Sequence, residues 1–356
     1  MKKKNVLFIS GFLVLSIVGG IIGIKYFNDS SETTMEIPKY DYGVISTSSG
    51  KKKSKITLYD QNNKVINEIS VPYNGLQSGT YQKPRTFNEI LYLTVLGSNI
   101  SATESIIGIN LQNFKISEYK VDDVPIAFDV DEKYIYSANS IINGETSFKK
   151  IDIKKNQILA KKNFSGVSNY VHQTKNHVYL FIDEKSDKQK CYKLNKRDLS
   201  IVKDWEITIA TGALDGNEID GILYITNTLK AGSKEEVSKS VMMIDLETDK
   251  ITYKNLDYPS YQVLNKDKNI YFSNYSITDN KGNYVTLAKE DTQKKLNIVL
   301  TKQLKGNLVI SKIINNKFIT TDENQIYEYD LKTFDLLRIR PVPTDMQLST
   351  FFYYNE

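Results

Sequence analysis

The chain of 356 residues carries 47 Lys and Arg against 42 Asp and Glu, with two His and one Cys. Two imidazoles and one thiol are too few for the three or four ligands of a zinc or transition-metal centre, and a single cysteine excludes an intramolecular disulfide. Four of the lysines fall in the first 25 residues, which contain no acid, so the rest is nearly neutral at +1 and lacks the basic footprint of a nucleic-acid binder.

Lys2, Lys3 and Lys4 precede an uncharged run from Val6 to Ile24 that Lys25 closes. As a helix it would rise about 28 Å at ~1.5 Å per residue, close to the hydrocarbon thickness of a bilayer. It is longer than the apolar part of a secretory signal, and its exit, Gly23-Ile24-Lys25-Tyr26-Phe27, has no small-residue cleavage pattern. Residues 1–27 are therefore expected to be cytoplasmic lysines plus an uncleaved transmembrane anchor. The excess of lysines before the span keeps the N-terminus in the cytoplasm and the remainder outside. Gly19 and Gly23 form a G-x-x-x-G pair, too common in membrane helices to fix an oligomeric state.

Residues 28–39, beginning NDSSETTMEI, are polar and aperiodic and read as a stalk. From residue 40 the chain repeats. Short β-branched strands place Tyr92, Tyr136, Tyr179, Tyr224, Tyr271 and Phe318 at intervals of 44, 43, 45, 47 and 47 residues, the period of a repeat architecture. After a polar loop, each unit continues with a strand ending in Asp or Asn, a tight turn and another strand, as at Asp60, Asn110, Asp152, Asn195, Asp245 and Asp330. A further strand precedes each Tyr strand, which gives four strands per unit. No helical periodicity follows Ile24.

Seven units start near residues 42, 85, 125, 168, 213, 259 and 308. The first lacks its innermost strand, and Met346–Tyr354 has the composition to supply it. The expectation is an all-β, seven-bladed β-propeller of four-stranded blades over 40–356, its ring closed by the C-terminal strand so that open edges are removed.

The hairpin Ile244-Asp-Leu-Glu-Thr-Asp-Lys-Ile251, paired with Ile-Tyr strands, resembles the YVTN-type, quinoprotein-like repeat propellers of bacterial envelopes. One Trp and two His cannot furnish a WD-repeat signature seven times. The resemblance implies an extracytoplasmic binding or scaffolding propeller at the cell envelope, with a protein or envelope ligand as partner. Its alternative is a lactonase-like hydrolase or lyase using funnel carboxylates, with or without calcium.

Once per turn is the pattern of an Asx turn, in which a side chain accepts backbone N–H bonds, and the recurring Asp and Asn are read that way rather than as catalytic carboxylates. His172 and His177 are read as surface or half-buried strand residues and Cys191 as a half-buried one. No catalytic residue, resident metal or cofactor is assigned. Asp215-Gly-Asn217-Glu-Ile-Asp220 and Asp279-Asn-Lys-Gly282-Asn each hold a fragment of an oxygen ligand set for calcium. By analogy with related propellers, ligand-binding candidates are Arg85, Tyr170, Asn217 and Tyr261, at or just before the innermost strands. Loops 72–86 and 226–240 are the longest non-strand segments.

Overall fold

The computed structural model describes residues 39–48, 53–76, 83–95, 104–141, 144–184, 188–233, 235–274, 283–306, 310–322, 324–343 and 345–354. The expected anchor and nearly all of the stalk lie outside them. No helix among the described residues is long and apolar enough to cross a membrane.

Seven four-stranded antiparallel sheets form the blades of a ring. Blade 1 contains β1 (Tyr42–Thr47), β2 (Ser54–Tyr59) and β3 (Val65–Val71). Blade 2 follows as β4 (Arg85–Phe87), β5 (Ile90–Val95), β6 (Ser105–Asn110) and β7 (Ile116–Lys120). In blade 3 the strands are β8 (Val124–Val130), β9 (Tyr134–Ile141), β10 (Glu145–Asp152) and β11 (Gln157–Ser165). Blade 4 has β12 (Val167–Gln173), β13 (His177–Glu184), β14 (Lys188–Asn195) and β15 (Ile201–Ile207). Next, blade 5 comprises β16 (Ala210–Ile219), β17 (Ile222–Lys230), β18 (Ser240–Asp245) and β19 (Ile251–Asn255). Blade 6 comprises β20 (Gln262–Lys266), β21 (Asn269–Ser273), β22 (Asn283–Glu290) and β23 (Leu296–Leu304). Blade 7 ends the series with β24 (Ser311–Ile314), β25 (Lys317–Thr321), β26 (Gln325–Asp330) and β27 (Leu336–Pro341). The last strand, β28 (Gln347–Tyr353), returns to pair with β1 as the innermost strand of blade 1.

The repeated tyrosines stand on the second strand of their blades, and all are buried. Each packs against the following blade: Tyr92 with Phe128 and Ile135, Tyr136 with Val171 and Val178, Tyr224 with Val263 and Phe272. Apolar side chains sandwiched between successive sheets thus form the core. The register corrects the series at Phe318 and extends it to blade 1. Phe318 lies opposite Tyr329, the residue just before the turn Asp330, whereas Tyr136 lies opposite Lys150, two before Asp152. Because strand side chains alternate between faces, Phe318 packs back against blade 6, and Ile319 takes the tyrosine's place facing blade 1. In blade 1 that place falls on Gly43, paired with Leu58 and Phe352. The Phe352 ring lies where a side chain on Gly43 would begin, so the closing strand supplies the aromatic that blade 1 lacks.

The turn Asp and Asn side chains do what their repetition implies. Asp60, Asn110, Asp245 and Asp330 each accept two backbone N–H bonds from the residues that follow, and Asp291 does so in blade 6. Cys191 is completely buried on β14 rather than half-buried, and burial raises its thiol well above the ordinary range. The first part of the segment 226–240 is not loop, since β17 continues to Lys230 and Leu229 bridges Val237.

Blades 7 and 1 meet at a polar seam. The Arg340 guanidinium on β27 is 3% exposed and lies 2.8 Å from Asp41 Oδ2, ahead of β1. It donates to Asn63 Oδ1 in the β2–β3 turn at 3.1 Å and to Glu328 on β26, and packs over the Tyr42 ring at 4.6 Å. Glu328, fully buried, also accepts from Tyr353 on β28 at 2.9 Å and from Lys317 at 2.7 Å.

Candidate functional site in the central channel

Side chains directly opposite one another in an antiparallel pair share a face, so the innermost-strand residues opposite the tyrosine series form a level ring. They are Arg85, Asp129, His172, Asn217, Leu264, Lys312 and Phe352, paired with Tyr92, Tyr136, Tyr179, Tyr224, Tyr271, Ile319 and Gly43. Two residues earlier, on the same face, come Lys83, Ala127, Tyr170, Asp215, Gln262, Ile310 and Thr350. Except for Tyr170, the polar members on blades 2 to 6 line much of a cavity of about 360 Å³ in the channel. Register shifts between Pro125 and Ala127, Ser168 and Tyr170, and Ala213 and Asp215 mark β-bulges just before the polar residues. Bulges re-aim side chains and are frequent beside functional sites.

Several of these groups clip one blade to the next. Asp129 Oδ2 accepts Gln173 N–H at 2.8 Å, Asp215 Oδ2 accepts Val263 N–H at 2.9 Å, and Gln262 Oε1 accepts Ser311 N–H at 2.5 Å. Tyr170 O–H donates to the Gly216 carbonyl at 2.9 Å. Blade 2 contributes the cations. Lys83 Nζ is 2.5 Å from Asp215 Oδ2, donates to the Tyr261 carbonyl at 3.4 Å, and lies 5.2 Å from the Tyr261 ring centre. Arg85 Nη2 donates to Tyr170 Oη at 3.1 Å. Its other approaches are longer, with Nε 3.6 Å from Asp129 Oδ1 and Nη1 4.0 Å from Asp215 Oδ1. Buried Nε makes no hydrogen bond to any described residue.

Burial opposes charge at Lys83, Arg85, Tyr170 and His172. It lowers the Lys83 amine to about 7, with Asp215 opposing the shift. For Arg85, burial is outweighed by Tyr170, Asp129 and Asp215, and the guanidinium stays charged. The Tyr170 phenol is raised by burial. His172 Nδ1 lies 3.2 Å from Tyr170 Oη and 3.8 Å from Asp129 Oδ2, yet burial pushes its imidazole down to about 4. Since the Tyr170 proton goes to Gly216 and Arg85 only donates, a neutral His172 carries its proton on Nδ1 and leaves Nε2 as an acceptor.

That depressed imidazole gives a pH signature. Between the unfolded pKa of about 6.5 and the folded value of about 4, the unfolded chain binds a proton that the folded one refuses. Stability is therefore complete above pH 6.5 and falls by about 3 kcal/mol as the pH drops below 4. Urea unfolding at pH 7, 5.5 and 4 should show the wild type losing about that much more than His172→Gln. Equal losses would mean that the histidine titrates normally.

Of the four candidates read from the sequence, Arg85 and Tyr170 are hydrogen-bonded to each other, and Arg85 and Asn217 both line the cavity. Asn217 donates to Asn265 Oδ1 at 2.9 Å. Tyr261 stands just behind the cavity, where its carbonyl receives Lys83 and Thr226. Lys83, Asp129 and Gln262 were not anticipated, and His172, expected at or near the surface, belongs to the channel. Their signal was available as the row of inner-strand positions in step with the tyrosine spacing. Asp215 and Asp220, grouped above as a fragment of a calcium site, separate: one meets Lys83 in the channel, the other occupies the β16–β17 turn at φ 47°. The second fragment, from Asp279, lies outside the described residues except for Asn283.

No protein-family model matches the chain, and no curated protein matches it. Solved structures share its fold. The dihydro-heme d1 dehydrogenase NirN, in complex with DHE, aligns with a TM-score of 0.53 at 11% identity over 91% of this chain and 77% of that one. The β-propeller domain of Cps50 (Swd1) from Myceliophteria thermophila aligns with a TM-score of 0.53 at 9% identity over 76% of this chain and 89% of that one. BamB from Moraxella catarrhalis aligns at 0.45 and 9% identity, covering 81% of this chain and 93% of that one. At these identities the likeness to the first two is one of fold.

Proposed function

We propose that the protein is a ligand-binding propeller held at the outer face of a cell membrane by its N-terminal segment. The observation that carries the binding part is the channel cavity, where Lys83, Arg85, Asp129, His172 and Asp215 converge from four blades. A concave site with a few convergent polar groups and shifted pKa values is where a small ligand is expected. The tether rests on the uncharged run Val6–Ile24 behind three lysines, and the YVTN-like hairpins accord with an envelope propeller. A hydrolase is less favoured, because Asp129 and Asp215 are each engaged by a backbone N–H of the next blade.

In cells expressing the full chain with an N-terminal tag, the protein should sediment with membranes and resist alkaline extraction. Protease added to intact cells should release the propeller and leave the tag inside. Recovery of the whole protein from the medium, or protection of the propeller until lysis, would count against the tethered arrangement.

A further inference from the structure

The channel cluster holds opposite charges side by side without using up their hydrogen-bonding capacity. A guanidinium has five N–H donors. Arg85 commits one to Tyr170, its Nε has no hydrogen-bond partner among the described residues, and its approaches to Asp129 Oδ1 and Asp215 Oδ1 are 3.6 and 4.0 Å, beyond a good hydrogen bond. Both aspartates turn their Oδ2 to the neighbouring blade. The Oδ1 atoms face the arginine from two sides; that of Asp129 accepts the Val130 N–H at 2.9 Å and keeps one lone pair. Spare donors and spare acceptors therefore lie within one small polar molecule's reach of each other, in a cavity of about 360 Å³.

Charge balance narrows the ligand. A simple anion on Arg85 would sit beside two carboxylates, and a simple cation on those carboxylates would sit beside Arg85, so each would meet like charge next to its partner. A molecule carrying both charges on adjacent atoms meets neither penalty. Resting on the reading of the channel as the binding site, we propose that it takes a free α-amino acid, with the carboxylate on the Arg85 guanidinium and the ammonium on the Oδ1 atoms of Asp129 and Asp215. The side chain would lie along Phe87, Val130, Val263 and Ile310, which supply the apolar wall. Arginine suits the carboxylate because its planar fork offers two parallel donors.

The test is a thermal melt of the full chain in detergent with glycine, L-leucine or L-glutamine, and with acetate, methylamine or both together. At least one amino acid should raise the melting temperature saturably, by about 5 °C at a hundredfold excess over its dissociation constant. Acetate and methylamine should not do so, singly or combined. Asp215→Asn keeps an oxygen for the Val263 N–H while removing the charge, so a folded variant should bind at least tenfold more weakly, as should Arg85→Lys. A response to acetate alone as large as to the amino acids overturns the zwitterion but leaves a channel ligand. An amino-acid response unchanged in both variants places binding elsewhere and overturns the proposal. Flat melts with all probes overturn it as well, while membrane fractionation decides the tether separately.

Discussion

A chain ending at residue 346 should lose its cooperative thermal transition and become sensitive to protease under conditions where the full chain resists. The physical reason is that β28 is at once the inner strand of blade 1 and a source of three core aromatics, with Phe351 and Phe352 fully buried and Tyr353 nearly so. Truncating one buried phenylalanine costs about 3–5 kcal/mol. Losing two, together with a strand's hydrogen bonds, is on the scale of the whole ~5–15 kcal/mol by which a domain is stable. A point version separates packing from simple deletion. Phe352→Ala should destabilise by about 3–5 kcal/mol. Gly43→Ala should also destabilise, because its new Cβ would stand 2.2 Å from Phe352 Cζ. The double variant should be less damaged than the sum of the two, since the smaller side chain makes room for the methyl group. Strict additivity in urea unfolding would show that the ring does not occupy the glycine's place.

Arg340→Met should lower stability by about 3 kcal/mol, the scale for stranding one member of a buried ion pair. It leaves Glu328, with no exposed surface, to Lys317 and Tyr353 alone, and frees Asp41 and Asn63 from the seam. Arg340→Met combined with Glu328→Gln should recover at least half of the loss, because no full charge then remains buried. Burial by itself would lift the Glu328 carboxyl, but Lys317 and Arg340 hold it below its usual range. A lowered acid contributes stability that is complete above its unfolded pKa and lost as the pH falls through the folded one. The Arg340 variant should accordingly show a shallower acid limb. A single-variant loss under 1 kcal/mol by denaturant titration would mean that the seam closes without the arginine.

The propeller was legible because it is written seven times. A tyrosine buried between sheets recurs in blades 2 to 6 and an Asx turn recurs at the hairpins, and repetition separates them from chance. The one misplaced member, Phe318, shows the limit of spacing. A register offset of a single residue is nearly invisible among intervals of 43 to 47, yet it reverses the face on which the ring packs. Gly43 shows the complementary limit, since its missing aromatic is supplied by a residue more than 300 positions later.

The channel was legible only in part. Arg85, Tyr170 and Asn217 were expected at or just before the inner strands, which among the three holds for Arg85 alone, since Tyr170 lies inside β12 and Asn217 near the end of β16. Asp129 and His172 looked like ordinary polar residues within strands. What marks them is their partner across the hairpin, which becomes visible once the strands are paired. By itself the sequence determined the all-β repeat, the seven blades, the closing strand and the neutral charge of the region after the first lysines, because each follows from local pattern or plain counting. The tertiary structure alone decided which polar side chains meet. Lys83, Arg85, Asp129, Tyr170, His172 and Asp215 come from four blades spread over more than 130 residues, and the arrangement of those blades around one channel brings them within 4.0 Å of their neighbours.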